Sequence, residues 1–288
     1  MLCAVLCTAL WGSAYPVIKF GYAALRIETV ADKLIFAGVR FVLAGLMVFA
    51  FTWVKSRRLP TVSKNRIGGV LLYGAVQTGL MYICNYIGVA NTTATKTSII
   101  TAASAFFAVV FAPLFFQEER LTALKVIGVI VGMTGIVLIN NSALGGFSMT
   151  GEGLVLAAAL LNTAGGFIGK KVSKGIVYES TAYQLSFGGM MILLVGLCMG
   201  GAFVFSAKGM LIVLYLAFVS AAAFTLWTAL LVLHEAGQIL VFNMLIPVFG
   251  AVWSFVILGE RQIFEPLYLI SILLTAAGIV LVNIRMKK

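Results

Sequence analysis

Two stretches of this chain limit what it can fold into. Phe36–Val54 and Ile99–Phe116 are continuous apolar runs, the first interrupted only by Arg40. Each reaches about 18 residues or more, the length at which a helix can cross a membrane. Coiled at about 1.5 Å per residue, such runs match the hydrocarbon thickness of a bilayer. Membrane-spanning strands would instead alternate apolar and polar residues over about ten positions, and these runs do not alternate. The rest of the chain agrees. Of 288 residues, 62% are hydrophobic and 10% charged, with a mean hydropathy of +1.10. A soluble domain carries about 25% charge, and no water-soluble fold can hide so much apolar surface. The expected fold class is all-α integral membrane.

Composition also removes several functions. His234 is the single histidine, so a histidine-based metal cluster is excluded. Cys3, Cys7, Cys84 and Cys198 all lie in apolar runs and read as small core residues, not as a disulfide frame or metal site. Neither a metal nor a cofactor is expected. The net charge of +11 reads as basic residues collected in cytoplasmic loops, not as a nucleic-acid surface. A membrane-embedded enzyme would need a catalytic signature, but there is no Gly-x-Ser-x-Gly elbow, no His-Glu-x-x-His and no carboxylate pair within a span. A channel would need a filter or a ring of like charge, and none is evident. The N-terminal "MLCAVLCTALWGSA" ends in small residues like a signal peptide, yet it lacks the basic leading region and its apolar run continues to Phe20. It reads as the first membrane helix.

Apolar runs and breakers together give ten helices, at 2–20, 36–55, 67–87, 97–117, 122–140, 152–170, 181–203, 209–231, 237–258 and 265–284. Basic residues set their orientation. With the N-terminus in the cytoplasm, thirteen fall on the cytoplasmic side: Lys55, Arg57, Arg58, Lys64, Arg66, Arg120, Lys125, Lys170, Lys171, Lys174, Arg285, Lys287 and Lys288. Five fall opposite, namely Arg26, Lys33, Lys96, Lys208 and Arg261. This bias places both termini in the cytoplasm of a multi-pass protein in the cell membrane.

The chain also repeats itself. "LFFQEERLTALKVIGVIVGMTGIVLIN" from Leu114 is echoed by "ILGERQIFEPLYLISILLTAAGIVLVN" from Ile257, which puts half the chain between Glu119 and Glu260. Arg40 in "VRFVLAGLM" corresponds to Gln184 in "YQLSFGGMM", and Tyr86 to Trp227. Five helices per copy is an odd number, so the second copy enters the membrane from the opposite side. Two repeats are expected, 1–141 and 152–284, with inverted topology. This architecture supports alternating access in secondary transporters.

"LWGSAYPVIKFG" at Leu10, "VRFVLAGLMVF" at Val39, "NTTATKTSIITAASAFFAVVFAPLFFQEERLT" at Asn91 and "FNMLIPVFGAVWSFVILGE" at Phe242 resemble the EamA family of the drug/metabolite transporter superfamily. The resemblance covers essentially the whole chain, twice over. It implies a ten-helix carrier, often an exporter, of a small metabolite such as an amino acid, nucleobase, amine or drug-like solute. It also implies a cavity enclosed by helices 1, 3, 4, 6, 8 and 9. The alternatives are a proton-coupled antiporter of the same fold and, more distantly, a membrane enzyme, a channel, a scramblase or a structural subunit. The expected partners are the solute and the lipid bilayer.

Polar and aromatic residues inside the spans are the candidate substrate contacts. A polar group in hydrocarbon needs a partner or a wet cavity, or it costs several kcal/mol. Gln77, Tyr82 and Asn85 mark helix 3, Asn162 marks helix 6, and Asn243 precedes Pro247 in helix 9. Thr97, Thr101 and Ser104 share one face of helix 4 by their spacing. They could bind solute or let helices pack closely. Trp11 and Tyr15, four apart on helix 1, and Trp227 in helix 8 could face a flat or cationic ligand; core packing is the plainer reading of each. Lys96 could attract anions at the outer mouth or reach water from a stem lying in lipid. Arg40 is expected to form a structural ion pair with Asp32 or Glu28. None of the nine acids falls in mid-span, which favours a facilitator over carboxylate-driven proton exchange. The one exception to watch is the neighbouring pair His234 and Glu235.

Overall fold

The protein is described here from a computed structural model of the full chain, over residues 1–57, 59–139, 147–202, 206–259 and 266–284. Among these residues there are helices and turns and no strand. The helices are α1 (Leu2–Leu25), α2 (Val30–Ser56), α3 (Lys64–Gly74), α4 (Met81–Ala90), α5 (Ala94–Phe115), α6 (Ala123–Ile139), α7 (Leu154–Val172), α8 (Val177–Cys198), α9 (Ala207–Leu233), α10 (Ala236–Leu240), α11 (Leu245–Leu258) and α12 (Pro266–Asn283). A π-helical stretch, Ala75–Leu80, fuses α3 to α4, and another, Met149–Gly153, leads into α7. A 3₁₀ turn at Val241–Met244 joins α10 to α11. Eight of the resulting rods are long and apolar enough to cross a membrane, and two shorter apolar helices, Ile100–Phe115 and Ala123–Leu138, accompany them.

The helix ends follow from local chemistry. Thr29 accepts a hydrogen bond from the Asp32 amide at 3.1 Å and so starts α2 at Val30. Thr93 does the same for Lys96 at 3.3 Å in α5, and Ser206 for Gly209 at 3.0 Å in α9. Each satisfies one of the amides that a helix start leaves free. Gly259, at φ 72°, closes α11 in the left-handed conformation that glycine adopts without strain.

Several expected boundaries are corrected. Helix 2 starts six residues before position 36, so Asp32 sits in its first turn and not in a loop. Helix 1 continues past Phe20 to Leu25. Helix 7 was expected to run to 203 but ends at Cys198, where Gly200 turns at φ 79°. The remaining boundaries agree to within a few residues. Arg58, Glu260, Arg261, Glu265, Arg285, Lys287, Lys288 and the stretch 140–146 lie outside the described residues.

Two helix pairs make the most extensive contacts, α2 with α8 and α6 with α12. Both depend on the absence of side chains. A Cβ on Gly38 would stand 2.6 Å from the Leu193 amide nitrogen, and one on Gly128 2.7 Å from the Gly278 carbonyl. Backbones that approach this closely gain van der Waals contact, which drives helix association where water supplies no hydrophobic force. α1 packs on α9 and α11, while α7 packs on α4 and α5. Large apolar side chains such as Leu114, Leu211 and Leu273 are left exposed around the outside, as a lipid-facing surface requires.

Candidate functional site

Aromatic rings from four helices form a continuous string through the bundle. Trp227 (α9) meets Trp11 (α1) at 5.0 Å between ring centres, and Trp11 meets Phe224 (α9) at 5.2 Å, both edge to face. Phe224 meets Phe41 (α2) at 6.1 Å, Phe41 meets Tyr82 (α4) at 4.5 Å, and Tyr82 meets Tyr86 at 6.3 Å. Helical spacing explains the alignment, because Tyr82 and Tyr86 are four apart and share a face.

Arg40 stands at the α2 end of this string. Its guanidinium carbon lies 4.2 Å from the centre of the Phe41 ring and 5.9 Å from that of Tyr82. The residue is 4% exposed, and its Nε finds no hydrogen-bond partner. Tyr15 (α1), four residues beyond Trp11, is 58% exposed. The expected pairing of Arg40 with Asp32 or Glu28 is not formed. Asp32 accepts hydrogen bonds from the Thr29 hydroxyl at 2.6 Å and the Ala202 amide at 2.8 Å. Glu28 is exposed.

A second polar group lies further along the third span. Gln77 Nε2 donates to Asn162 Oδ1 across to α7 at 2.9 Å, while Gln77 Oε1 is buried without a partner. Gly165, with no side chain, leaves room for Gln77. Nearby, the Tyr73 and Thr228 hydroxyls share a hydrogen bond at 3.1 Å, and Gln184 donates to Thr78.

α5 and α7 run parallel and are pinned at both ends by ion pairs. At their starts, Lys96 meets Glu152 at 2.7 Å, and the same carboxylate accepts from the Thr92 hydroxyl at 2.6 Å and the Ser148 amide at 2.7 Å. At their far ends, Glu119, 3% exposed, accepts from Lys170 at 2.8 Å. It also accepts from the Ala236 amide at 2.6 Å and the Gly237 amide at 3.0 Å, which cap the start of α10. Lys125 pairs with Glu235 at 2.7 Å at this same end. Lys55, bonded to Tyr178, and Arg66, bonded to the Val172 and Lys174 carbonyls, lie there too.

The sequence candidates therefore separate. Trp11, Tyr82 and Trp227 come together in the string, Tyr15 does not join it by a ring contact, and Gln77 joins Asn162. Thr97 is half-buried and donates to the Thr93 carbonyl of its own helix at 3.0 Å, and Thr101 is exposed. Asn85 and Asn243 are half-buried, and neither side chain hydrogen-bonds to another described residue. Lys96 is an ion-pair partner of Glu152. Tyr22 was not singled out from the sequence, although it lies two helical turns beyond Tyr15. Among the described residues no group of three or more His, Cys, Asp or Glu side chains could hold a metal. An apolar groove lined by Phe111, Phe115, Leu160 and Phe167 opens between α5 and α7. It offers little polar chemistry and fits a lipid-facing furrow.

Comparison with known proteins places the chain among transporters. The model of the EamA-like transporter family matches residues 1–141 and 149–284. "Uncharacterized transporter YetK" of Bacillus subtilis is 25% identical over 262 residues, covering 88% of this chain and 78% of that protein. "Uncharacterized inner membrane transporter YedA" of Escherichia coli K12 is 26% identical over 195 residues, 66% of this chain and 60% of its own length. "Probable amino-acid metabolite efflux pump" of the same strain is 24% identical over 273 residues, with coverages of 90% and 86%. A solved crystal structure superposes with a TM-score of 0.80 at 14% identity, over 98% of this chain and 96% of its own, which shows that the two share a fold.

Proposed function

We propose a function from one premise: the chain belongs to the EamA-like transporter family, and it is a multi-pass membrane transporter. Our reading is a carrier that moves a small metabolite by alternating access, as an exporter or facilitator. It has ten spans in two inverted five-helix repeats, 1–141 and 152–284, with both termini in the cytoplasm. The solute site lies along the aromatic string and the Gln77–Asn162 pair.

The observation that carries this reading is where the two sequence halves meet. Trp11 with Trp227, and Gln77 with Asn162, join residues of the first half to residues of the second inside the bundle. Ion pairs join the halves again at each end of α5 and α7. An interior site flanked by contacts at both ends is what alternating exposure of a solute requires. The gathering of Lys55, Arg66, Lys125 and Lys170 at one end supports a cytoplasmic face there. Of the seven acids among the described residues, Glu119 and Glu152 are the buried ones, and each is held by a lysine at a helix end. That supports movement down the solute's own gradient. One relative is named as a probable amino-acid metabolite efflux pump.

The test is counterflow in proteoliposomes, in which vesicles preloaded with unlabelled solute take up labelled solute. A carrier gives saturable uptake accelerated by solute on the far side. Linear flux indifferent to trans solute would defeat the reading in favour of a channel.

A further inference from the structure

We infer that Arg40 is the anchor for a substrate carboxylate, so that the solute is a monocarboxylate with an apolar, preferably aromatic, body. The inference rests on the carrier reading above and names the chemistry of its site.

The position of Arg40 is the first ground. It lies ten residues after Val30, roughly 15 Å along a helix roughly 40 Å long. That is nearly three turns inside the helix. An ionised side chain at such depth is rare unless it serves a pathway or a ligand.

The second ground is the missing counter-charge. Among the described residues no carboxylate lies within ion-pairing distance of Arg40. Asp32 is occupied by Thr29 and Ala202, Glu119 and Glu152 by lysines, and Glu235 by Lys125. What the guanidinium meets instead is neutral: the rings of Phe41 and Tyr82. Ring faces soften a buried cation but do not neutralise it. A structural arginine would have its acid built in. This one is 4% exposed, with its Nε unpartnered and no acid built in.

The third ground is shape. A guanidinium offers parallel N–H donors that match the two oxygens of a carboxylate. From Arg40 the string Phe41, Phe224, Trp11, Trp227 leads away as a continuous apolar wall, which suits a flat body attached to the carboxylate. One guanidinium also sets the charge, since a single fixed positive charge favours a single negative one.

The test uses 3-phenylpropionate and its uncharged amide, 3-phenylpropionamide, on purified protein in nanodiscs. Trp11 and Trp227 supply the fluorescence that reports binding. The expected result is that wild type binds the acid at least about ten-fold more tightly than the amide, equivalent to about 1.4 kcal/mol. Arg40→Gln should abolish that preference, and Arg40→Lys should keep part of it. Because Arg40→Gln removes an uncompensated charge, its melting temperature should not fall. If that variant nevertheless fails to fold, Tyr82→Phe, which keeps the ring and drops one hydroxyl beside the cation, should retain the acid preference while weakening the affinity. Equal binding of acid and amide by wild type, binding of neither, or an acid preference that survives Arg40→Gln would overturn the assignment. Counterflow of some other solute would still leave the carrier reading standing, so the two can fail separately.

Discussion

Replacing Glu119 should be among the most damaging single changes at the ends of this bundle. Its carboxylate is 3% exposed and accepts three hydrogen bonds, from Lys170, the Ala236 amide and the Gly237 amide. Glu119→Ala strands a lysine side chain that is 11% exposed, together with two buried amides at the start of α10. Removing one partner of a buried ion pair costs about 3–5 kcal/mol. Lys170 recovers part of this from Glu118, 3.8 Å away, and from the Phe116 ring at 4.5 Å, so the lower half of that range is expected. Glu119→Gln can keep its amide oxygen on Lys170 and Ala236. Its NH₂ then faces the Gly237 amide, donor against donor, for about 1–2 kcal/mol. At about 2–4 °C per kcal/mol, the alanine variant should melt roughly 6–16 °C lower and the glutamine variant roughly 2–8 °C lower. The assay is size-exclusion chromatography of a fluorescent fusion heated in detergent. Adding Lys170→Met to Glu119→Ala should restore part of the loss, because the stranded charge disappears. The reasoning fails if Glu119→Ala melts with wild type, or if the double variant is less stable than the single one.

Three further outcomes are expected. In a cysteine-free background, a cysteine at Ser63, before α3, should label only from the cytoplasmic side and one at the corresponding Ser206, before α9, only from the opposite side; labelling of both from one side would contradict the inverted repeat. Asn162→Ala removes the acceptor of Gln77 and should cut counterflow severely while the yield of folded protein stays near wild type. An equal fall in both would assign the pair to packing alone. A pH step imposed across proteoliposomes should not by itself concentrate solute, and accumulation beyond equilibrium would point to proton coupling, with His234 and Glu235 the first residues to change.

The apolar runs made most of the helices legible, because spans of about twenty residues leave little freedom once water is excluded. Their ends were harder to read. The start of α2 is written as "ETVADK", which looks like a loop until Thr29 is seen capping the Asp32 amide. The interior irregularities, such as the π-helical stretch at Ala75–Leu80, left no composition signal. At the candidate site, individual aromatic residues were visible but their grouping was not. Spacing within one helix shows which residues share a face, not which face meets another helix. Arg40 illustrates the gap. Asp32 is the nearest acid in its own helix, yet it lies about 12 Å away along the axis, and it is claimed from across the bundle by Ala202. Lys96 and Glu152, on different spans and far apart in the chain, find each other only because α5 and α7 start at the same end.

The opposed ion pairs of α5 and α7 also constrain how these two helices can move. At one end the lysine belongs to α5 and the acid to the segment entering α7; at the other the acid follows α5 and the lysine belongs to α7. A slide of one helix along the other by a single turn, about 5.4 Å, would part both pairs together. Shear along this seam is therefore the expensive direction. Splaying is cheaper, since one pair opens while the other serves as pivot. For a carrier working as proposed above, the seam would serve as a two-ended hinge, opening at one mouth while the pair at the other holds, the property that separates a carrier from a leak.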